Sequence, residues 1–322
     1  LPLNCAAQTL PAFITREDNP MAQDKPHQTA SDFDPEVLRL FDKYVHGQID
    51  RRGFLDGARK YAVGGLTAVG LLEALSPKFA AAEQVPKTDP RIAAESVEIP
   101  SPLGYGKVRG YLVKPARVSG KLPLVLVVHE NRGLNPHIED ITRRLALENF
   151  IAFAPDALFP LGGYPGDEDK ARELFAKLDQ AKTQEDFIAA ANYLRAHPLG
   201  NGKLGAVGFC YGGGVVNLLA TRVPELAAGV PFYGNAPALD KVAGIKAPLL
   251  LFFADNDERI NAAWPPYEAA LKAAKVKFDA YKYPGTQHGF NNDTTPRYDD
   301  AAAKQAWTRT IAFFNTQLRT AG

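Results

Sequence analysis

Cysteine is scarce in this chain: Cys5 and Cys210 are the two in 322 residues. One stands in an atypical leader and the other in a glycine-rich turn, which argues against a disulfide framework. An excess of charge of one sign is also missing. The formal net charge is +1, so there is no basic field to attract nucleic acid. No long uncharged apolar run occurs. The most apolar stretch, 62–75, is short and carries Glu73, too little to span a bilayer. No Cys/His cluster has zinc spacing and no G-x-G-x-x-G opens a helix after a strand, so neither a metal nor a dinucleotide or other cofactor is expected. Methionine occurs once, at position 21. Met21 is therefore read as the natural start and residues 1–20 as a non-native or upstream leader.

What is present is a core: 46% of residues are hydrophobic, enough for one or two domains. The chain is organised around Gly208-Phe209-Cys210-Tyr211-Gly212-Gly213. A short apolar run at 203–207 precedes it and a helix-like stretch follows. Strand, sharp turn and helix form a nucleophile elbow, with cysteine where the G-x-S-x-G pattern has serine. Alone, such a turn is also compatible with an inert buried thiol. Further along, the apolar run 248–253 ends in Ala254-Asp255-Asn256-Asp257, and a second strand-like run ends in Gln287-His288-Gly289-Phe290. Nucleophile, acid and histidine then follow in the chain order of an α/β-hydrolase triad. In open α/β sheets the loops at the carboxyl ends of strands share one edge, which would bring the three together.

The strands are expected at 96–99, 108–113, 122–128, 151–154, 203–207, 229–232, 248–253 and 278–283. Helices are expected at 136–149, from the capping box Thr183-Gln184-Glu185-Asp186, at 264–274 and at 301–318. This alternation predicts a mostly parallel twisted sheet with helices on both faces, the first two strands antiparallel at its edge. The catalytic unit is placed at 85–322, its first residues to 91 serving as a linker, after an N-terminal helical extension at 21–84. In that extension Asp34-Pro35 opens a helix with Val37, Leu38, Phe41, Tyr44 and Val45 as its apolar stripe. Arg51-Arg52, the apolar stretch and Ala80-Ala81-Ala82 also describe a twin-arginine export signal cleaved near Glu83. The alternatives are a periplasmic enzyme or a cytoplasmic one whose extension is retained and packs on the catalytic unit.

The elbow, the stretch His129-Glu130-Asn131-Arg132-Gly133 and the Gln287-His288-Gly289-Phe290 loop resemble the dienelactone hydrolase (carboxymethylenebutenolidase) family of α/β hydrolases over residues 90–318. The resemblance implies a cofactor-free cysteine hydrolase of lactones or small activated esters, acting through a thioester. Cys210 would be the nucleophile, His288 the base and Asp257 its acid, with Asp255 the rival. Asp257 precedes Ile260 by three, as the family's acid does. The backbone amides of Tyr211 and Asn131 would form the oxyanion hole. By the same resemblance Glu130 hydrogen-bonds the resting thiol; the alternative is a structural carboxylate paired with Arg132 or Arg143. Arg132, Tyr164, Phe290 and Asn292 are the substrate-binding candidates. Asn292 stands where the aromatic-pathway enzymes carry a cation, a departure that Arg132 or Arg297 would have to make good. His129 and His137 are expected at the surface or behind the site. The partner is a small ester or lactone, with the protein a monomer or homodimer. Other readings are a promiscuous esterase, thioesterase or phosphotriesterase on the same triad, and a silent binding module.

Overall fold

The structure is a computed structural model that describes residues 28–62 and 67–319. The expected leader, with Cys5, and the expected start at Met21 lie outside these residues. The N-terminal extension forms helices α1 (Pro35–Val45), α2 (Arg51–Ala58), α3 (Ala68–Leu75) and α4 (Phe79–Ala82). Helix α1 starts where its sequence directs: the Asp34 side chain accepts from Glu36 N at 2.8 Å and Pro35 occupies the first position. The stripe residues Val37, Leu38, Phe41 and Tyr44 bury against Phe54, Leu72 and Leu75, giving the extension its own small core.

The catalytic unit follows as β1 (Ile92–Ser101), β2 (Gly106–Pro115), β3 (Leu122–Val128), α5 (Pro136–Leu147), β4 (Ile151–Pro155), α6 (Glu168–Phe175), α7 (Gln180–Arg195), β5 (Gly200–Phe209), α8 (Tyr211–Arg222), β6 (Leu226–Phe232), β7 (Leu249–Asn256), α9 (Glu258–Ala273), β8 (Phe278–Gln287) and α10 (Asp300–Leu318). The eight strands form one sheet in the order β1-β2-β4-β3-β5-β6-β7-β8. β1 pairs antiparallel with β2, and β2 with β4; the other neighbours are parallel. All seven residues of β3 are buried, as a strand covered by helices on both faces requires. Two apolar clusters, one on each side of the sheet, make up its core.

Three sequence expectations shift. Helix α7 starts at Gln180 with Asp179 as its cap, accepting from Ala181 N and Lys182 N. Thr183 therefore lies inside it, and Asp186 accepts from Tyr105 N at 3.0 Å instead of closing a capping box. Helix α9 begins at Glu258, six residues before Trp264, because Asp257 caps it by accepting from Ile260 N at 3.3 Å. The stretch 85–91 is tethered where it was expected to be a linker. Val85 N donates to Asp140 Oδ1 at 2.9 Å, and Val85 O accepts from Arg143 Nε at 2.6 Å.

Among the described residues no helix is long and apolar enough to cross a membrane. Arg51 and Arg52 open α2 as its first two residues, capped by Asp50, and Arg51 pairs with Asp169 at 3.1 Å.

Candidate active site

Strand β5 delivers Cys210 to the carboxyl edge of the sheet in a backbone conformation of φ +55° and ψ −113°. A residue with a side chain is strained there. The turn closes because its flanking residues lack Cβ atoms. A Cβ on Gly208 would stand 2.2 Å from Gly212 O, and one on Gly212 would stand 2.2 Å from Val128 O. Glycine at both positions lets α8 run against β5 and β3. Tyr211, the residue after the thiol, becomes the first residue of α8, so its amide belongs to the unpaired N–H groups of a helix start.

The loops after β7 and β8 meet beside this turn. His288 Nδ1 lies 2.5 Å from Asp257 Oδ2, with both side chains buried. The His288 ring packs on Tyr233 with centroids 4.9 Å apart. Asp255 behaves differently. It accepts from Gly285 N at 3.2 Å and pairs with Lys282 at 3.4 Å, with 41% of its side chain exposed. Of the two candidate acids, only Asp257 meets the histidine.

A residue that sequence reasoning passed over also reaches the thiol. His46, directly after α1, places Nε2 3.6 Å from Cys210 Sγ, and its ring lies edge-on to that of His288 with centroids 4.7 Å apart. His46 Nδ1 lies 2.8 Å from Asp42 O and 3.3 Å from Asp42 Oδ1. Asp42 is in turn 3.7 Å from Arg297 Nη1. The available signal was Asp42 and His46 four apart on the last turn of an amphipathic helix, a spacing that puts both on one face.

This corrects the expectation for Glu130. Among the described residues the thiol has the His288 and His46 rings as its polar partners, because the loop after β8 delivers the one and the extension the other. Glu130 Oε2 accepts from Asn292 Nδ2 at 2.9 Å. Neither Arg132 nor Arg143 is its ion-pair partner: Arg132 pairs with Glu168 at 3.5 Å and Arg143 with Glu83 at 2.9 Å.

Burial alone would raise the thiol of Cys210, but His288 and His46 beside it outweigh that and lower it to about 6. Burial likewise opposes charge on His288, yet the thiolate and Asp257 push it up to about 10. For His46 burial is again overcome, here by Asp42 and Cys210, and the ring rises to about 9. The cationic His288 ring beside it works against that charge, and Arg259 Nη2 also lies close, 3.3 Å from His46 Nε2; the Asp42 carboxylate and the thiolate prevail. The arrangement is a thiolate between two histidines, each with an aspartate behind it, and can perform nucleophilic and general acid–base chemistry. Donor atoms of His46, Cys210 and His288 all lie within 4.8 Å of one another, so these three residues could also close on a metal ion.

Two cavities meet at Cys210. One of about 370 Å³ is lined by Glu130, Arg132, Tyr164, His288, Asn292 and Arg297 and by Phe41, Tyr44 and Phe79 of the extension. The other, of about 280 Å³, is lined by His46, Asn131, Arg172, Tyr211, Asn235 and Arg259. Three of the four substrate-binding candidates thus face the larger cavity. Phe290 does not: it is 0% exposed and packs on Phe232, Tyr233 and Tyr283, so it belongs to the core. The polar groups of the others are engaged. Tyr164 Oη donates to Glu168 at 2.9 Å. Asn292 Oδ1 accepts from Thr294 N and Oγ1. Arg132 donates to Val45 O and to Asn131 Oδ1. His129 and His137 are both buried. His129 Nε2 accepts from Ala157 N at 3.1 Å, and His137 Nδ1 lies 3.2 Å from Asp293.

Comparison with known proteins agrees with this fold. A family model described as "Dienelactone hydrolase family" matches residues 108–318, and one described as "YqhI-like" matches residues 25–63. The chain is 32% identical over 260 residues to a "Putative carboxymethylenebutenolidase" of Escherichia coli (strain K12), covering 76% of this chain and 94% of that one. It is 59% identical over 114 residues to the "Putative hydrolase fragment YghX" of the same organism, covering 35% of this chain and 97% of that one. Among solved structures, a "Putative Dienelactone Hydrolase" from Klebsiella pneumoniae subsp. pneumoniae MGH 78578 superposes with a TM-score of 0.61 at 31% identity, over 69% of this chain and 98% of that one. The α/β sheet, the cysteine elbow and these matches together identify the chain as a hydrolase belonging to the dienelactone hydrolase family, extended at its N-terminus by a packed helical segment.

Proposed function

We propose that the protein hydrolyses lactones or small activated carboxylic esters through Cys210, His288 and Asp257, by way of a thioester. The observation that carries this reading is the strained turn at Cys210 with the buried His288–Asp257 pair beside it. Cys210 attacks the carbonyl as thiolate. His288, oriented by Asp257, supplies the proton that the departing alkoxide needs. The amides of Tyr211 and Asn131 receive the oxyanion, a role supported by their positions after Cys210 and at the end of β3. Glu130, tied to Asn292, adds a negative wall to the larger cavity. Arg132, Tyr164 and Arg297 line that cavity and set which esters enter.

In the tetrahedral adduct formed by the thiolate an alkoxide departs far more readily than an unprotonated amine, which favours esters and lactones over peptides. The test is a panel of lactones, aryl esters and organophosphate triesters run on the wild type and on Cys210→Ala. Hydrolysis of aryl acetates is expected to vanish in the variant apart from a small oxyanion-hole background, and iodoacetamide is expected to inactivate the wild type. An alanine variant with most of the wild-type rate would sink the assignment. Preferred turnover of triesters would move the function to phosphotriester hydrolysis on the same residues.

A further inference from the structure

The match to the hydrolase family begins at residue 108, so α1 and His46 lie outside it, within the segment that matches the YqhI-like model. That segment is built onto the active centre. Val45 O accepts from Asn131 Nδ2 at 3.0 Å and from both terminal nitrogens of Arg132 at 3.3 Å. Arg172 Nη1 donates to Tyr44 O at 3.0 Å and its guanidinium lies 4.3 Å from the centre of the Tyr44 ring. Tyr44 Oη donates to Asp169, and Lys78 N donates to Thr294 O at 2.7 Å. These contacts fix the end of α1, and with it the ring of His46, against Cys210. Asp42 is held from the other side by Arg297.

The two cavities divide the two histidines. His288 lines the larger cavity and His46 the smaller, while Cys210 lines both. An ester whose leaving group sits in the larger cavity would leave the smaller one for water, which needs only about 30 Å³ of its 280 Å³. We propose that the N-terminal extension completes this active site, with His46, oriented by Asp42, as the general base that activates the water hydrolysing the acyl-enzyme. The inference rests on the reading of Cys210 as nucleophile.

The protons balance. The thiolate attacks the ester carbonyl, the C–O bond to the leaving group breaks, and His288 gives its proton to the departing alkoxide. With the thiolate charge consumed, His46 releases its own proton to solvent. It then takes one from water as the hydroxide oxygen bonds to the thioester carbon. The C–S bond breaks and the thiolate returns, and the carboxylic acid product gives its proton to His288. The sum is ester plus water to alcohol, carboxylate and one proton.

The experiment is a rapid-mixing assay of 4-nitrophenyl acetate on the full chain. In His46→Gln the stoichiometric burst of nitrophenolate should survive, followed by a steady state slower by about 10²-fold, the usual reach of general-base catalysis. Asp42→Asn should slow the same phase. Because a damaged fold could imitate a slow steady state, His46→Gly should regain turnover with added imidazole. Three results would overturn the proposal: an unchanged steady state in His46→Gln, a faster one, which would mean that His46 merely obstructs the thiol, or a His46→Gly variant that imidazole does not rescue. Cys210→Ala run in parallel separates the layers. If it still turns over, the nucleophile assignment fails; if it is dead while His46→Gln is normal, only the role of His46 fails.

Discussion

At the scale of single residues, the thiol and its two imidazoles form a charge system whose sign can be read out. A Cys210 lowered to about 6 by its histidines is mostly thiolate at neutral pH, whereas an ordinary thiol is mostly protonated until about 8.5. The iodoacetamide rate of the substrate-free enzyme should therefore climb as pH rises through about 6 and then level off. An inflection above pH 8 would show that the histidines do not hold the thiolate. The acid was only half legible in the sequence. Asp255 and Asp257 are two apart, and strand alternation sends such neighbours to the same side, so spacing alone does not choose between them. What chooses is the turn out of β7, which directs Asp257 to both the α9 cap and His288 and leaves Asp255 with Lys282 at the surface. Asp257→Asn should lower turnover by up to about 10⁴, by analogy with serine triads, and Asp255→Asn far less. Equal losses in the two variants would contradict the geometry.

At the scale of elements, the strands and most helices could be read because each carries a period or an apolar run: β3 is seven consecutive buried residues, and α1 announces itself by Asp34-Pro35 and its stripe. Phe290 misled because it stands two residues from His288 in the same short loop, and nothing in such a loop tells which side chain packs into the aromatic core. His46 was hidden for a different reason. Its partner Cys210 is 164 residues away, and no local pattern records a contact made by docking one helical segment onto another. That docking depends on a small core around Phe54, which is 0% exposed and packs edge-on to Phe41 with centroids 6.2 Å apart. Phe54→Ala should cost about 3–5 kcal/mol within the extension, enough to loosen it from the catalytic unit while the large sheet stays folded. Limited proteolysis should then cut between residues 28 and 82 first, and turnover should fall in step with that cleavage. Cleavage with undiminished turnover would show that the extension covers the site without contributing to it.

At the scale of the whole molecule, the two fates of the extension make opposite demands. Removal near Glu83 would strip away His46 and Asp42, free Asn131 and Arg132 from Val45 O, and break the Arg143–Glu83 pair or leave it at a chain end. It would also open the larger cavity along the side now formed by Phe41, Tyr44 and Phe79. Polar groups that lose buried partners cost on the order of 1–3 kcal/mol each, so a chain cut there should be less stable as well as less active. The retained form keeps every one of these contacts, and we expect it to be the active one. Mass spectrometry of the protein isolated from its native host, fractionated into periplasm and cytoplasm, decides the matter when each pool is also assayed with an aryl ester. Peptides from residues 35–45 should accompany the activity in whichever fraction holds it. Activity confined to a species whose N-terminus lies near Glu83 would instead favour the twin-arginine signal, and the cysteine would then have to work with His288 alone.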